Sequence, residues 1–145
     1  MTSSASPPMT AISEDESWAL LSSVSLGRLA TSVGDEPDIF PVNFVVQRRT
    51  LLIRTAEGTK LSSTAVNHRV AFEADLHDVE QGWSVVVKGL AHIVHSAPEL
   101  RDAERAQVLP WTATTKLRYI RILPTAITGR RFHFGGEPEH PFECG

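Results

Sequence analysis

Hydrophobic and polar side chains alternate in short runs along most of the chain, which is the pattern of β-strands with one buried face. In residues 38–47, for example, Phe40, Val42, Phe44 and Val46 fall on the same face of an extended chain. Because turn-forming residues separate the first runs, the sequence predicts a meander of hairpins. The further predicted strands are 26–33, 51–56, 70–75, 83–95 and 116–134.

Helices are predicted where serine is followed three residues later by glutamate, the spacing of a capping box. This spacing occurs at residues 13–16 and again at 96–99. The first begins a short helix that turns Trp18 toward a core, and the second begins a charged helix that ends near residue 107. A brief helical crossover is predicted over 58–67.

The two ends of the chain differ in composition from its middle. Residues 1–12 are rich in Ser, Thr and Pro and are predicted to form a flexible arm, and the Gly- and Pro-rich residues 135–145 a loose tail. Residues 13–134 have the size of one domain. Six or so strands with short helices predict a mainly β fold closed into a barrel, because closure removes exposed sheet edges. Gly89 and Pro124 mark predicted bulges or bends in the long strands.

Composition and charge exclude several classes of function. The net charge of -3 and the 21% of charged residues give no basic excess for a nucleic acid or an anionic membrane. No apolar run approaches the roughly 20 residues of a membrane helix, and no signal pattern opens the chain. Cys144 is the only cysteine, so no disulfide forms within the chain. We therefore expect a cytoplasmic protein.

The junction between the third predicted strand and the crossover contains the residues best suited to bind an anion. Arg54 and Thr55 end the strand, and Thr59, Lys60 and Ser62 follow a glycine at a predicted helix start. Free backbone N–H groups and the helix dipole suit a phosphate there. The lysine adds a charge, the arginine a fork of donors and the others hydroxyls. From these residues alone, a solvated helix start with ordinary surface charges is the alternative.

Several motifs together resemble a known family. The chain contains, in order, Leu-Gly-Arg-Leu-Ala-Thr, Pro-Val-Asn-Phe, Ile-Arg-Thr, Gly-Thr-Lys-Leu, Val-Ala-Phe-Glu-Ala-Asp and Gly-Trp-Ser-Val-Val-Val-Lys-Gly. Over residues 13–131 their order and spacing resemble the pyridoxamine 5′-phosphate oxidase-like flavoproteins, most of all the small bacterial branch. The resemblance implies a split β-barrel that binds FMN at the interface of a homodimer.

The resemblance also implies roles for particular residues. Pro41, Val42 and Asn43 match the strand that touches the isoalloxazine ring, mainly with its backbone. Arg54 and Thr55 match the positions that contact the ribityl chain and the phosphate. The sequence contains no Cys/His cluster, so no metal ligands are predicted, and the catalytic residues stay unassigned.

Further positions follow from the same resemblance. Thr59 and Lys60 match the phosphate clamp, and Trp83 and Ser84 begin the strand that contacts the pyrimidine edge of the flavin. The glutamine often found on that strand is absent here. Trp111, together with an arginine of the last strand, is placed where the family brings a side chain near the partner subunit's cofactor.

Large aromatic side chains also have a simpler interpretation. For Trp18, Trp83 and Trp111 a place in the core is the favoured interpretation, because tryptophans are usually well buried. The arginines predicted to accompany the last of these toward the cofactor are Arg118 and Arg121.

The three successive valines Val85, Val86 and Val87 lie within the long fifth strand. Successive side chains of a strand point to opposite faces, so these three cannot all point into one barrel. A chain of 145 residues has few elements left to cover the outer face. The sequence therefore predicts that a second copy covers it, giving a homodimer.

Three functions fit these observations. The first is a flavin-dependent oxidoreductase, with FMN as its cofactor, acting on a small substrate; the second is a reductase that uses coenzyme F-420. The third is a non-enzymatic flavin- or haem-binding protein or sensor, for which the candidate axial ligands are His92, His95, His133 and His140. The ending 129–133 has the residue types of the family's substrate-phosphate segment but not its pattern, so pyridoxamine phosphate is not the predicted substrate.

An acidic run at the end of the fourth strand permits one other interpretation. Glu73, Asp75 and Asp78 lie close in sequence beside His77. These residue types can bind a metal ion, but a solvated strand end is the prediction we prefer.

Overall fold

A computed structural model describes residues 7–56, 68–108 and 117–135, in which seven strands and two helices are formed. Every strand pair in the sheet is antiparallel. The strands are β1 (Met9–Ile12), β2 (Leu26–Val33), β3 (Glu36–Gln47), β4 (Thr50–Ala56), β5 (Arg69–His77), β6 (Gln81–Ile93) and β7 (Leu117–His133), and the helices are α1 (Glu14–Leu21) and α2 (Ala97–Arg105).

The sheet closes on itself. Neighbouring strands follow the order β1-β7-β4-β3-β2-β5-β6, and β6 also pairs with β7, so six strands form a ring. The long last strand makes this possible because it pairs with β4 along one edge and with β6 along the other. The predicted mainly β fold with short helices, a split β-barrel, is confirmed.

A bulge interrupts the pairing of the two longest strands at the predicted position. Lys88 pairs with Ala126 and Gly89 pairs with Pro124, which leaves Thr125 as an extra residue. A Cβ added at Gly89 would overlap the carbonyl group of Leu123, so only glycine allows the two backbones to approach this closely. Both predictions of a bulge or bend are therefore confirmed.

The first strand corrects the predicted flexible arm. Met9–Ile12 forms an edge strand whose residues pair with 129–132 of β7. The run Met-Thr-Ala-Ile alternates exposed and half-buried positions. The composition of residues 1–12 suggested flexibility, but four of them gain backbone hydrogen bonds from a strand that is distant in sequence.

The barrel interior is filled by alternate side chains of its strands. Phe44 and Phe72 meet edge to face in the centre, with their ring centroids 4.7 Å apart. Helix α1 covers one end of this core with Trp18 and Leu21, as predicted. Its N-cap is Ser13, whose side chain accepts a hydrogen bond from the backbone N–H of Glu16.

Helix α2 lies on the outside of the barrel. It begins at the predicted capping box, where the Ser96 hydroxyl accepts a hydrogen bond from the backbone N–H of Glu99. A second buried cluster joins the helix to the sheet: Leu52, Val94, Ala103, Val108 and Tyr119. In the part of the chain that the structure describes, neither helix is long and apolar enough to cross a membrane.

Candidate functional site

The predicted cofactor strand presents two of its three residues on the outer face of the barrel. Val42 belongs to the core and is almost fully buried, so its neighbours Pro41 and Asn43 point outward. Phe44 pairs with Ile53 across the β3–β4 hairpin, so Asn43 and Arg54 occupy the next positions on the two strands. The hairpin therefore brings together three of the predicted site positions.

The described residues give the guanidinium of Arg54 only some of the partners it can bind. It lies over the ring of Tyr119, 5.3 Å from the centroid, and its Nη1 donates a long hydrogen bond of 3.4 Å to the carbonyl of Val108. Its Nε is buried and has no hydrogen-bond partner among residues 7–56, 68–108 and 117–135. A buried donor without an acceptor costs free energy, and an anionic ligand would remove that cost.

Of the other residues of the predicted phosphate site, the structure describes only Thr55. Thr55 is on the opposite side of β4 from Arg54, is buried and already takes part in an interaction. Thr59, Lys60, Ser62 and Trp111 lie outside the described residues, and their roles stay predictions.

Trp83 and Ser84 are separated from this hairpin. The Trp83 indole belongs to the core cluster, and Ser84 lies on the outer face of β6. Strands β2 and β5 lie between β6 and β3. Three strand spacings of about 4.8 Å each, roughly 14 Å, therefore separate Ser84 from Asn43 within one chain. One chain alone does not bring these predicted contacts together.

A polar cluster on the outer face lies between these two sets of residues. Arg28 on β2 forms ion pairs with Glu73 at 2.7 Å and with Asp75 at 3.2 Å. The hydroxyl of Ser84 donates to the second oxygen of Glu73 at 3.1 Å. Arg28 pairs directly with Pro41 on β3 and with Glu73 on β5. The cluster therefore connects the predicted cofactor strand to Ser84.

This cluster was not predicted from the sequence, because Arg28 and Glu73 are 45 residues apart and only the folded sheet brings them together. The one signal available in the sequence was the alternation of apolar and polar side chains along these two strands, which places both residues on the outward face. Burial of its carboxyl group raises the pKa of Glu73 above its ordinary value of 4.5, and the neighbouring carboxyl of Asp75 raises it further. The hydrogen bond from Ser84 and the positive charge of Arg28 lower the pKa of Glu73, because both stabilise its carboxylate.

Replacing Asp75 with asparagine is expected to lower the pKa of Glu73, because the substitution removes the neighbouring negative charge. A raised pKa in the folded state means that stability is present at low pH and is lost as the pH rises from 4.5 through the folded value. The variant should lose less stability over that interval. An NMR titration of the Glu73 carboxyl measures the shift, and Arg28→Gln is the opposite control, expected to raise it. An equal pKa in all three proteins would contradict the assignment.

The acidic run beside His77 does not form a metal centre in the structure. Asp78 accepts hydrogen bonds from the backbone N–H groups of Glu80 and Gln81, which hold its pKa below the ordinary value. Within 7–56, 68–108 and 117–135, no three His, Cys, Asp or Glu side chains are placed to hold a metal ion together. Of the candidate haem ligands, His92 contacts Glu99 at 3.1 Å.

Arg121 has a role different from the one predicted. Its side chain is buried and donates to the Thr50 hydroxyl at 2.7 Å and to the Gln47 side chain at 2.9 Å. Glu99 of helix α2 lies 3.5 Å from its Nε. The guanidinium is therefore occupied within its own chain, and the expectation that it reaches a partner's cofactor is replaced by a role in holding helix α2.

A closed antiparallel ring with a helix on its outer side defines a split β-barrel protein. Residues 13–131 match the sequence model of the family described as Pyridoxamine 5′-phosphate oxidase. Because this match spans most of the chain, the protein belongs to that family, as the sequence motifs predicted.

Similar proteins are known from species of Mycobacterium and Corynebacterium. A structure described as the FAD binding protein from Mycobacterium smegmatis is 60% identical, with a TM-score of 0.81, and the match covers 87% of this chain and all of that one. A conserved protein of unknown function from Corynebacterium diphtheriae is 41% identical, with a TM-score of 0.77, over 87% of this chain and 99% of that one. The uncharacterized protein Rv3129 of Mycobacterium tuberculosis is 55% identical over 102 residues, which are 69% of this chain and 93% of the relative.

Proposed function

We propose that this protein binds a flavin nucleotide on the outer face of the β3–β4 hairpin and acts as an oxidoreductase on a small substrate. The observation that carries the proposal is the buried Nε of Arg54 beside Asn43, a donor for which the described part of the chain supplies no acceptor. The 60% identity to a FAD binding protein supports it. The donor set fits the group, since a guanidinium is a strong ligand for phosphate.

In this proposal each residue binds or orients the cofactor. Arg54 holds the phosphate, together with Lys60 and the hydroxyls of Thr59 and Ser62. The backbone of Pro41, Val42 and Asn43 supports the ring. A bound flavin supplies hydride or single-electron transfer, and the barrel face supplies orientation and exclusion of water.

The choice of flavin follows from the same chemistry. FMN, the cofactor predicted from the sequence, carries one phosphate at the end of its ribityl chain, and FAD and coenzyme F-420 carry a phosphate at the corresponding place. Arg54 and Lys60 suit all three. FMN is our first choice, the FAD binding relative makes FAD the next, and a reductase dependent on F-420 is the alternative enzyme.

Titration of the purified protein with FMN, FAD and coenzyme F-420 tests the proposal. Arg54→Gln and Lys60→Ala are each expected to weaken binding by about 1.5–3 kcal/mol, the range for a hydrogen bond to a charged group. Arg101→Gln, which changes an exposed arginine of helix α2, is the matched control and should leave affinity unchanged. Failure of the unaltered protein to bind any of the three would contradict the function. A Soret band in its absorption spectrum would instead support the haem-binding alternative.

We also propose that the protein is a homodimer with the cofactor at the interface. Ser84 is roughly 14 Å from Asn43 in one chain, three strand spacings away, and in this proposal the second copy supplies the Ser84 that contacts the same flavin. The half-exposed Val86 and the exposed Leu26 give this face apolar area for such a contact.

Sedimentation equilibrium at micromolar concentration is expected to give twice the chain mass of 15.9 kDa. Flavin affinity should fall as the protein is diluted below the dissociation constant of the dimer, because dilution separates the two halves of the site. A single species at the chain mass that still binds flavin with full affinity would contradict the shared site.

A further inference from the structure

A second concavity with its own chemistry lies on the same outer face. It has a volume of about 410 Å³ and is formed where β2, β5 and β6 run side by side. Its floor contains Ala30 and Ala71, which pair directly across β2 and β5. Their small side chains leave a depression in the sheet surface, and the bulge at Gly89 forms one wall.

Two cationic side chains line this cleft without compensation. Arg69 and Lys88 are both exposed, and neither has an ion pair or hydrogen bond from its side chain to any residue in the described part of the chain. Lys88 pairs with Ala71, and Arg69 is two residues before Ala71 on β5, so Arg69 and Lys88 occupy diagonal positions about 7 Å apart at the level of the backbone. Both side chains carry a positive charge on the same face, and an anion bound between them is attracted by both.

An apolar rim adjoins the two cations. Leu90 pairs with Arg69 on one side and with Leu123 on the other. The two leucines are 42% and 44% exposed and together form a small apolar patch beside the cleft. A ligand that fits this surface therefore carries both a negative group and an apolar part.

We propose that this cleft binds a small organic anion, a phosphate or carboxylate attached to an aromatic ring or a short aliphatic chain. Arg69 and Lys88 bind the anionic group, and the apolar part lies over Ala30 and Ala71. Ala30 is four residues along β2 from Leu26, the neighbour of Asn43, which is roughly 13 Å at about 3.3 Å per residue. The cleft is therefore separate from the proposed flavin site, and its ligand does not depend on that proposal.

Isothermal titration with phenyl phosphate tests the cleft, with benzoate as the carboxylate probe and phenol as the neutral one. Both anions are expected to bind, and phenol much more weakly. Arg69→Gln and Lys88→Gln should each weaken phenyl phosphate binding by about tenfold, as expected when one charged hydrogen bond is lost. Arg101→Gln, at an exposed arginine outside the cleft, should bind normally.

Two further variants locate the binding. Ala71→Leu fills the floor without removing a charge and should abolish binding, while circular dichroism confirms an unchanged fold. Arg54→Gln should leave phenyl phosphate affinity unchanged, whereas a loss in that variant would place the anion at the proposed flavin site instead. Equal affinity in the unaltered protein and in the Arg69→Gln and Lys88→Gln variants, or no binding of either anion, would overturn the proposal.

Discussion

Replacing Phe72 with alanine is expected to lower the free energy of unfolding by about 3–5 kcal/mol, the range for a large aromatic side chain in a core. Phe72 is 1% exposed, and its ring packs edge to face against Phe44. A Cβ added at Gly27 would overlap the Phe72 ring, so this ring packs directly against the backbone of β2. No side chain at position 27 can move into the space that the substitution opens, and the cavity should persist.

Urea denaturation followed by circular dichroism measures this change. Phe72→Leu keeps much of the apolar volume and should lose roughly half as much or less. Phe134→Ala changes an exposed phenylalanine at the end of β7 and should alter stability by about 1 kcal/mol or less. A loss at position 72 as small as the loss at 134 would mean that β5 does not pack on β2 as the structure shows.

Local patterns in the sequence were enough to predict most of the fold. Alternation in residues 38–47 identified the buried face of β3, and capping spacings located the starts of both described helices. Gly89 and Pro124 indicated the bulge, because a missing side chain and a missing backbone donor are each tolerated there. All of these signals depend on neighbouring residues and can be read without knowledge of distant contacts.

Features that depend on long-range pairing could not be predicted in the same way. Strand β1 forms only because β7 offers it a free edge more than a hundred residues later. The ion pairs of Arg28 depend on which strand lies next to β2 once the barrel closes. Neither the composition near residue 10 nor the charge of Arg28 indicates which strand will lie alongside in the folded barrel.

In the candidate site, too, contacts between adjacent strands could be predicted from the sequence, whereas contacts between distant strands could not. Asn43 and Arg54 come together because a hairpin between adjacent strands fixes their register. Ser84 is on the same outer face but three strands away, so one chain does not place it beside Asn43 and Arg54. Trp83 illustrates the limit of a motif, since its position in the strand matches the family while its side chain is in the core.

Replacing Arg121, the buried arginine that contacts helix α2, is expected to produce the second large effect on stability. Arg121 is 5% exposed, and hydrogen bonds connect it to Thr50 and Gln47 of the β3–β4 turn region. Its Nε is 3.5 Å from Glu99, and its Nη2 is 4.0 Å from Asp102, both on helix α2. One guanidinium therefore links β7, the β3–β4 hairpin and the helix.

Arg121→Met, which keeps most of the apolar volume, is expected to lower the free energy of unfolding by about 2–3 kcal/mol, because the charged hydrogen bonds are lost and the helix carboxylates lose their buried partner. Hydrogen exchange of the α2 amides should accelerate more than exchange in β5, since Arg121 directly contacts Glu99 and Asp102 of the helix. Arg48→Met is the matched control: this arginine also pairs with Asp102 but is 70% exposed, so a much smaller change is expected. Equal losses from the two substitutions, or equal acceleration in the helix and in β5, would show that burial of Arg121 does not set the strength of this attachment.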